Sequence, residues 1–364
     1  MINILDYGAV GDGKTDNTSC IQAALDAAGE QCCSVFVPAG RFLTSTLKVP
    51  SYCGIVGQPS WGYRTPGGSI LELNDAEASC LIDVSYRFGI TISGLCLEGR
   101  GLGSQVHGIC LNQESFGVHG EESTLLIDGC RINDFSGNGV LLNRAWCFSI
   151  RHSMISHNGG DGIWLRGWDG FILDNWLSGN KRAGFGAYEE NASVTFTANR
   201  VEWNFTAGIV VHGGDHYVIN NNFFDRHGGP AIDLTDRDGV PSSQITVTGN
   251  ILYRNGKPDR CGDGLYDSSH IRCSNAEGVV ITSNVCQAFK DDSTCPVADG
   301  ASPDWGIVIS KLNNAIIKDN ILHHGYKKEL MVDLGDHKGT VVIKDNIGSL
   351  YTEAAPHAEP VNAS

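Results

Sequence analysis

Apolar and polar residues alternate along most of this chain in short runs, and the runs recur. The stretch from Gly184 to Asn222 shows the unit most plainly. A glycine followed by an apolar residue (Gly184 and Phe185, then Gly208 and Ile209) opens a short alternating strand. A turn, a second alternating run, an asparagine (Asn199, then Asn222) and a third short run complete it. Alternation with a period of two marks strands that bury one face. Three strands this short cannot bury that face alone, so the unit must stack on copies of itself. The pattern predicts an all-β solenoid, a right-handed parallel β-helix of about 11 coils.

Aligning the coils on the Asn199 position gives the column Gly94, Cys130, Ser153, Asn175, Asn199, Asn222, Asn250, Asn284, Asn320 and Asn346. From Asn175 the steps are 24, 23, 28, 34, 36 and 26 residues. Asparagines stacked in one turn can hydrogen-bond up and down the helix and satisfy buried turn backbone, which makes them structural. The longer steps place insertions at 235–243, 255–268 and 287–304. The last two precede the glycine-led strand and should rise over the same edge.

Residues 1–60 read differently. Thr15, Asp16 and Asn17 can cap a helix that carries Ile21, Ala24, Leu25 and Ala28 on one face and ends at Gly29. Such a helix would cover the open end of the stack. Strands over 34–37 and 42–49 then begin the first coils. The expected organisation is one β-helix domain over 1–350, with the cap and first coils in 1–60 and further coils in 61–350. An aperiodic tail follows at 351–364.

The run DYGAVGDGKTDNTSCIQAALDAA, followed by VFVPAGRF, resembles the amino-terminal capping segment of the pectate-lyase-like β-helix superfamily. Polygalacturonases, some glucanases, epimerases and phage tailspikes carry such a segment. The resemblance covers about the first 60 residues by motif and the remainder by repeat pattern. It implies the fold and a substrate groove along the sheet of glycine-led strands, with a poly- or oligosaccharide as substrate. It leaves the chemistry open, since those relatives differ in it. Because several β-helix proteins trimerise, a homotrimer is an assembly the resemblance allows. The combined NTD, DD, GHG and RIK set of the polygalacturonases does not occur, nor does an aspartate cluster like that of the calcium-dependent pectate lyases.

Composition narrows the partners. The net charge of −15 argues against nucleic acid and against an anionic membrane surface. No apolar run is long enough for a spanning helix. The 13 cysteines include no CxxC pair or Cys/His spacing of a zinc site, so no metal and no cofactor is expected. Cys96, Cys273 and Cys286 occupy inward strand positions, whereas Cys261 and Cys295 lie in neighbouring insertions and can pair. The expected location is secreted or at the cell surface. Met1 sits directly on the start of the domain with no signal peptide, which leaves a removed leader or an intracellular protein as alternatives.

The glycine-led strands supply the candidate chemistry. Their inward positions are Ile109, Val140, Ile163, Phe185, Ile209, Ile232, Ile271 and Ile307. The next residues should face out: Cys110, Leu141, Trp164, Gly186, Val210, Asp233, Arg272 and Val308. Two further on is a polar column of Asn112, Asn143, Arg166, Tyr188, His212, Thr235, Ser274 and Ser310. In a regular stack successive members lie about 4.8 Å apart. A polar stripe on a solvated face needs no function, but Trp164, Trp168 and Tyr188 there are the platforms on which sugar rings stack. Gly186 beside Trp164 suggests a hollow for such a ring. Arg166, Lys181, Arg182 and Arg272 make the region locally basic.

The candidate catalytic residues are Asp233, Glu189, His212 and Tyr188, with Trp164, Arg166, Arg272 and Thr235 as substrate contacts. Glycoside hydrolysis needs two carboxylates, here Asp233 with Glu189 two coils away, roughly 10 Å along the axis. Asp215 is the substitute partner. A metal-independent lyase or epimerase acting on a uronate would instead use Tyr188 and His212 with Arg166 as the cation. A third reading is a non-catalytic, tailspike-like glycan-binding protein. In the plainest alternative Asp233 only pairs with Arg272.

Overall fold

The structure is a computed structural model that describes residues 1–58, 62–115, 122–256, 267–287, 303–326, 328–350 and 358–361. The chain divides into two units, Met1–Lys181 and Arg182–Ser364.

The first unit opens with helix α1, Thr18–Glu30, which buries Ile21, Ala24, Leu25 and Ala28 as the periodicity predicts. Asp16 caps it: its Oδ1 accepts from the Thr18 backbone N–H at 3.0 Å and from the Thr18 hydroxyl. Asn17 is buried instead and donates its amide to the Val10 and Thr15 carbonyls. Gly29 does not end the helix. It lies inside the last turn, where a Cβ would come 2.7 Å from the Pro50 Cβ, so it is needed for close approach. The strand expected over 42–49 is broken into Gly40–Thr44 and Leu47–Lys48. Between them the Ser45 and Thr46 hydroxyls bond Asp75 and the Cys80 carbonyl, outside the ladder.

Parallel coils follow in the predicted register. Ile109 pairs with Val140 and Val140 with Ile163, all three fully buried.

The second unit stacks Phe185, Ile209, Ile232, Ile271 and Ile307 in one parallel column, each fully buried. Its core is aromatic at the start, where Phe185 and Phe196 lie 5.7 Å apart and Phe196 stacks on Phe224 at 6.4 Å. Tyr217 is fully buried and donates its hydroxyl to Asn191 Oδ1. Residues 358–361, inside the expected tail, form a strand antiparallel to Asn346–Leu350. The insertion at 235–243 contracts to 236–241, since Thr235 closes one strand and Ser242 opens the next. Cys261 and Cys295 lie outside the described residues. The described cysteines are free thiols, and Cys96, Cys273 and Cys286 are buried as expected.

The asparagine column is a hydrogen-bonded ladder. In the second unit the Oδ1 of Asn222 accepts both the backbone N–H and the side-chain amide of Asn199, at 2.9 and 3.1 Å. Asn222 to Asn250, Asn250 to Asn284, Asn284 to Asn320 and Asn320 to Asn346 repeat it. In the first unit the Ser153 hydroxyl and Asn175 play the same part.

A second ladder was hidden from the sequence. In the first unit Asn158 donates to Asn180 Oδ1 through backbone and side chain. In the second unit the Asn204 N–H donates to His227 Nδ1 at 3.2 Å, and the His227 N–H to Asn255 Oδ1 at 3.3 Å. A histidine here does the accepting work of an asparagine, and the bond fixes its proton on Nε2.

Burial pushes His227 from an ordinary 6.5 down to about 3. In that window the unfolded chain binds a proton that the folded chain refuses. Stability is therefore fully present above about pH 6.5 and falls with pH, by about 1.4 kcal/mol per pH unit for this one residue. His227→Asn should keep the rung and lose less stability than the parent between about pH 6.5 and pH 4, read by denaturant melts. Identical pH dependence in the two proteins would remove His227 as an acid-sensitive rung.

Candidate active site

In the second unit the strands Phe185–Ala187, Ile209–His212, Ile232–Thr235 and Ser269–Thr282 align Gly186, Val210, Asp233 and Arg272 in one register. This column is not a solvated face. Val210 is 5% and Asp233 4% exposed. A cavity of about 390 Å³ stands over them, walled by the turn residues Phe205, Thr206, Gly229 and Pro230 and by Asp267.

The hollow expected above Gly186 is filled. A Cβ there would come 2.5 Å from Tyr188 Cε2 and 2.7 Å from its Oη, so the Tyr188 ring folds back over its own strand. The ring packs on an apolar patch of Ala183, Ala207 and Val210. It meets His212 edge to face, with centroids 5.4 Å apart, and the Arg182 guanidinium lies 4.8 Å from its centre. Gly186→Ala should therefore expel the ring. Since small misplacements of a reacting group cost up to about 10²-fold, turnover should drop by roughly that factor with little change in the melting midpoint. Unchanged turnover would show that the position of Tyr188 is immaterial.

Asp233 is held by Arg272 in a two-pronged pair, Nε to Oδ1 at 2.8 Å and Nη2 to Oδ2 at 2.5 Å. The remaining Nη1 of Arg272 donates to Asp267 Oδ1 at 2.7 Å. His212 Nε2 lies 4.0 Å from Asp233 Oδ2. Burial works against the charge on Asp233, but His212 and Arg272 beside it outweigh burial and keep its carboxyl below the ordinary value. Burial likewise works against the Arg272 charge, and Asp233 and Asp267 more than compensate, so its pKa is raised. The site thus contains an ionised carboxylate, a fixed cation, an imidazole and a phenol. Among the described residues no group of three or more His, Cys, Asp or Glu is placed to hold a metal ion.

Of the sequence candidates, Tyr188, His212, Asp233 and Arg272 line this one cavity. Thr235 pairs in register with His212 but is not among the described lining residues. Glu189 is exposed and also outside that set. Trp164 and Arg166 belong to the first unit, where both are half-buried in the strand Ile163–Leu173 and pair in register with Leu141 and Asn143. Trp168, on the same strand, packs against Trp146 at 5.5 Å, so neighbouring protein already occupies part of its surface. Asp267 was missed. The only signal for it was a carboxylate just before a strand whose outward position is arginine.

Parallel coils with a walled cavity over one sheet define a β-helix protein with a groove-type site. The chain belongs to the right-handed β-helix family, described as "Right handed beta helix region", which matches residues 100–240 and 184–349. Residues 1–66 match the family described as "Rhamnogalacturonase A/epimerase, pectate lyase-like", in line with the resemblance of the capping segment.

Among curated relatives, mannuronan C5-epimerase AlgE5 of Azotobacter vinelandii is 27% identical over 268 residues, covering 70% of this chain and 26% of the relative. A capsule K30/K69-specific depolymerase of Klebsiella phage K5-2 is 23% identical over 310 residues, covering 81% and 37%. The chain thus spans between a quarter and two fifths of the length of these two relatives. Among solved structures, the AlgE4 A-module of Azotobacter vinelandii superposes with a TM-score of 0.67 at 20% identity, over 97% of this chain and 100% of that one. A DFA-IIIase from Arthrobacter chlorophenolicus gives 0.63 at 17% identity, over 87% of each. At these identities the superpositions establish the fold alone.

Proposed function

We propose that this protein modifies a uronate-containing polysaccharide by removing the proton at C5 of a uronate ring, as a lyase or an epimerase. The observation that carries this reading is that Arg272 binds Asp233 and Asp267, the two carboxylates among the described residues lining the cavity, while Tyr188 and His212 stand beside them as an acid–base pair. A glycoside hydrolase needs one carboxylic acid protonated to deliver to the leaving oxygen. Arg272 and His212 keep the Asp233 carboxyl below its ordinary value and so ionised, and Glu189 is out on the surface. The names of the mannuronan epimerase relatives agree with proton chemistry on a uronate.

In this reading Asp233 attracts a proton to His212 Nε2 and leaves the lone pair on Nδ1 as the base. The C5–H bond breaks, its proton goes to His212, and the electron pair moves into the carboxylate as an enediolate. Arg182, over the Tyr188 ring, supplies the positive charge that stabilises it. Two outcomes then follow from where the Tyr188 proton goes. Delivered to O4, with cleavage of the C4–O bond, it yields an unsaturated uronate. Delivered to C5 from the opposite face, it yields the epimer.

The test is incubation with mannuronan and other uronate glycans in D₂O. Deuterium at C5 of the product, or the ultraviolet absorbance of an unsaturated uronate, is the expected result. New reducing ends with neither signal would establish hydrolysis, and glycan binding without turnover would establish a tailspike-like binder.

A further inference from the structure

A second cavity, in the first unit, has no part in the site above. It measures about 550 Å³, within the roughly 300–1,000 Å³ usual for ligand pockets. Its base follows the sheet register, with Lys48 paired to Asp83, Asp83 to Cys110 and Cys110 to Leu141 on successive coils. Leu141 and the Cys80 and Cys110 side chains give it an apolar floor, and its rim is polar.

That rim is rich in donors. His107 Nδ1 accepts the Asn138 backbone N–H at 2.9 Å, so the neutral ring carries its proton on Nε2, on the opposite edge. Burial lowers the pKa of His107, which keeps the ring in this neutral donor form. The Tyr86 oxygen accepts the Glu114 N–H at 3.1 Å, leaving its own proton to donate. Asn112 Oδ1 accepts from Asn143 at 2.7 Å, which turns the remaining Asn112 capacity toward donation. Lys48 and Arg87 add two exposed cations that form no ion pair among the described residues. Among the described lining residues the one carboxylate is Asp83, and its Oδ1 accepts the Ser85 N–H. An excess of donors and cations around an apolar floor, in a chain of net charge −15, suits a ring that bears hydroxyls and one carboxylate.

We propose that this cavity is a second carbohydrate-binding site, selective for a carboxylate-bearing sugar, with Lys48 and Arg87 on the carboxylate and His107, Tyr86 and Asn112 on the ring oxygens. It rests on the uronate reading of the substrate but not on any catalytic step. Glycan held here would be retained by the protein independently of turnover, which raises residence on a polymer.

The experiment uses the full chain labelled with ¹⁵N-histidine, the His107 ring signal being assigned by its loss in His107→Gln. Sodium glucuronate should shift that signal, whereas glucose and sodium chloride at equal concentration should not. In the Lys48→Ala/Arg87→Ala variant, both sites being exposed and outside the core, the same shift should need at least tenfold more glucuronate. Turnover of short uronate substrates should be unchanged in that variant. A His107 signal that glucuronate leaves unmoved, that glucose moves equally, or that responds identically in the double variant would overturn the proposal. Failure of the C5 chemistry shows instead in the D₂O experiment and leaves the His107 titration intact.

Discussion

Tyr188→Phe should lower turnover on a uronate glycan by on the order of 10²–10⁴, the usual contribution of a positioned general acid. The ring should stay in place, because its position rests on the space left at Gly186 and on the apolar Ala183, Ala207 and Val210 patch, and removing one oxygen adds no bulk to either contact. Loss of one phenolic hydrogen bond costs about 1 kcal/mol, so the variant should remain folded with a nearly unchanged KM. The D₂O experiment adds a sharper readout. With His212 still able to take the C5 proton and return a deuteron, the variant should exchange C5 hydrogen without completing elimination or inversion. Loss of exchange together with product would make Tyr188 the base and His212 the acid. Near-normal turnover would instead point to hydrolysis, in which the phenol is dispensable.

How far the sequence reaches depends on whether a residue's role is set by periodicity or by a neighbour from elsewhere in the chain. The inward columns of the two units, Ile109 to Ile163 in the first and Phe185 to Ile307 in the second, and the asparagine ladder were legible because each coil repeats the same constraint: an apolar side chain inside, an acceptor under the turn above. The second ladder escaped notice because His227 supplies through Nδ1 what asparagine supplies through Oδ1, and a residue-by-residue alignment does not see that equivalence. The site residues were half legible. Tyr188, His212, Asp233 and Arg272 fall on consecutive coils, so alternation brings them to one side of the sheet. Whether that side was wet or walled depended on the turns at Phe205 and Pro230, which alternation does not describe. The hollow at Gly186 failed for a related reason: the Tyr188 side-chain torsion, not its strand position, decides where the ring lies. Gly29 shows the same limit at the cap, where a glycine that looks like a helix stop answers to Pro50 instead.

The Asp233 and Arg272 pair separates the catalytic reading from the bland one, and the two partners should not respond alike. Arg272→Gln leaves Asp233 buried, 4% exposed, with His212 at 4.0 Å as its remaining charged partner among the described residues, so it should cost about 3–5 kcal/mol, the penalty for stranding a buried charge. Asp233→Asn leaves Arg272 its bond to Asp267, and the arginine side chain is 26% exposed, so the loss should be about 1.5–3 kcal/mol, that of charge-assisted hydrogen bonds. The double variant should be less destabilised than the sum, because neither charge is then stranded. Denaturant melts of the four proteins measure this cycle. If the pair were only a surface ion pair, each change would cost about 0–1 kcal/mol and Asp233→Asn would leave turnover intact. In the proposed mechanism Asp233 holds the His212 proton on Nε2, so Asp233→Asn should cut kcat by about 10²-fold or more in the folded enzyme while substrate still binds. Asp233→Glu, which restores the charge at a shifted position, should recover part of that loss. Full activity in folded Asp233→Asn would remove the carboxylate from the mechanism and leave His212 without an orienting group.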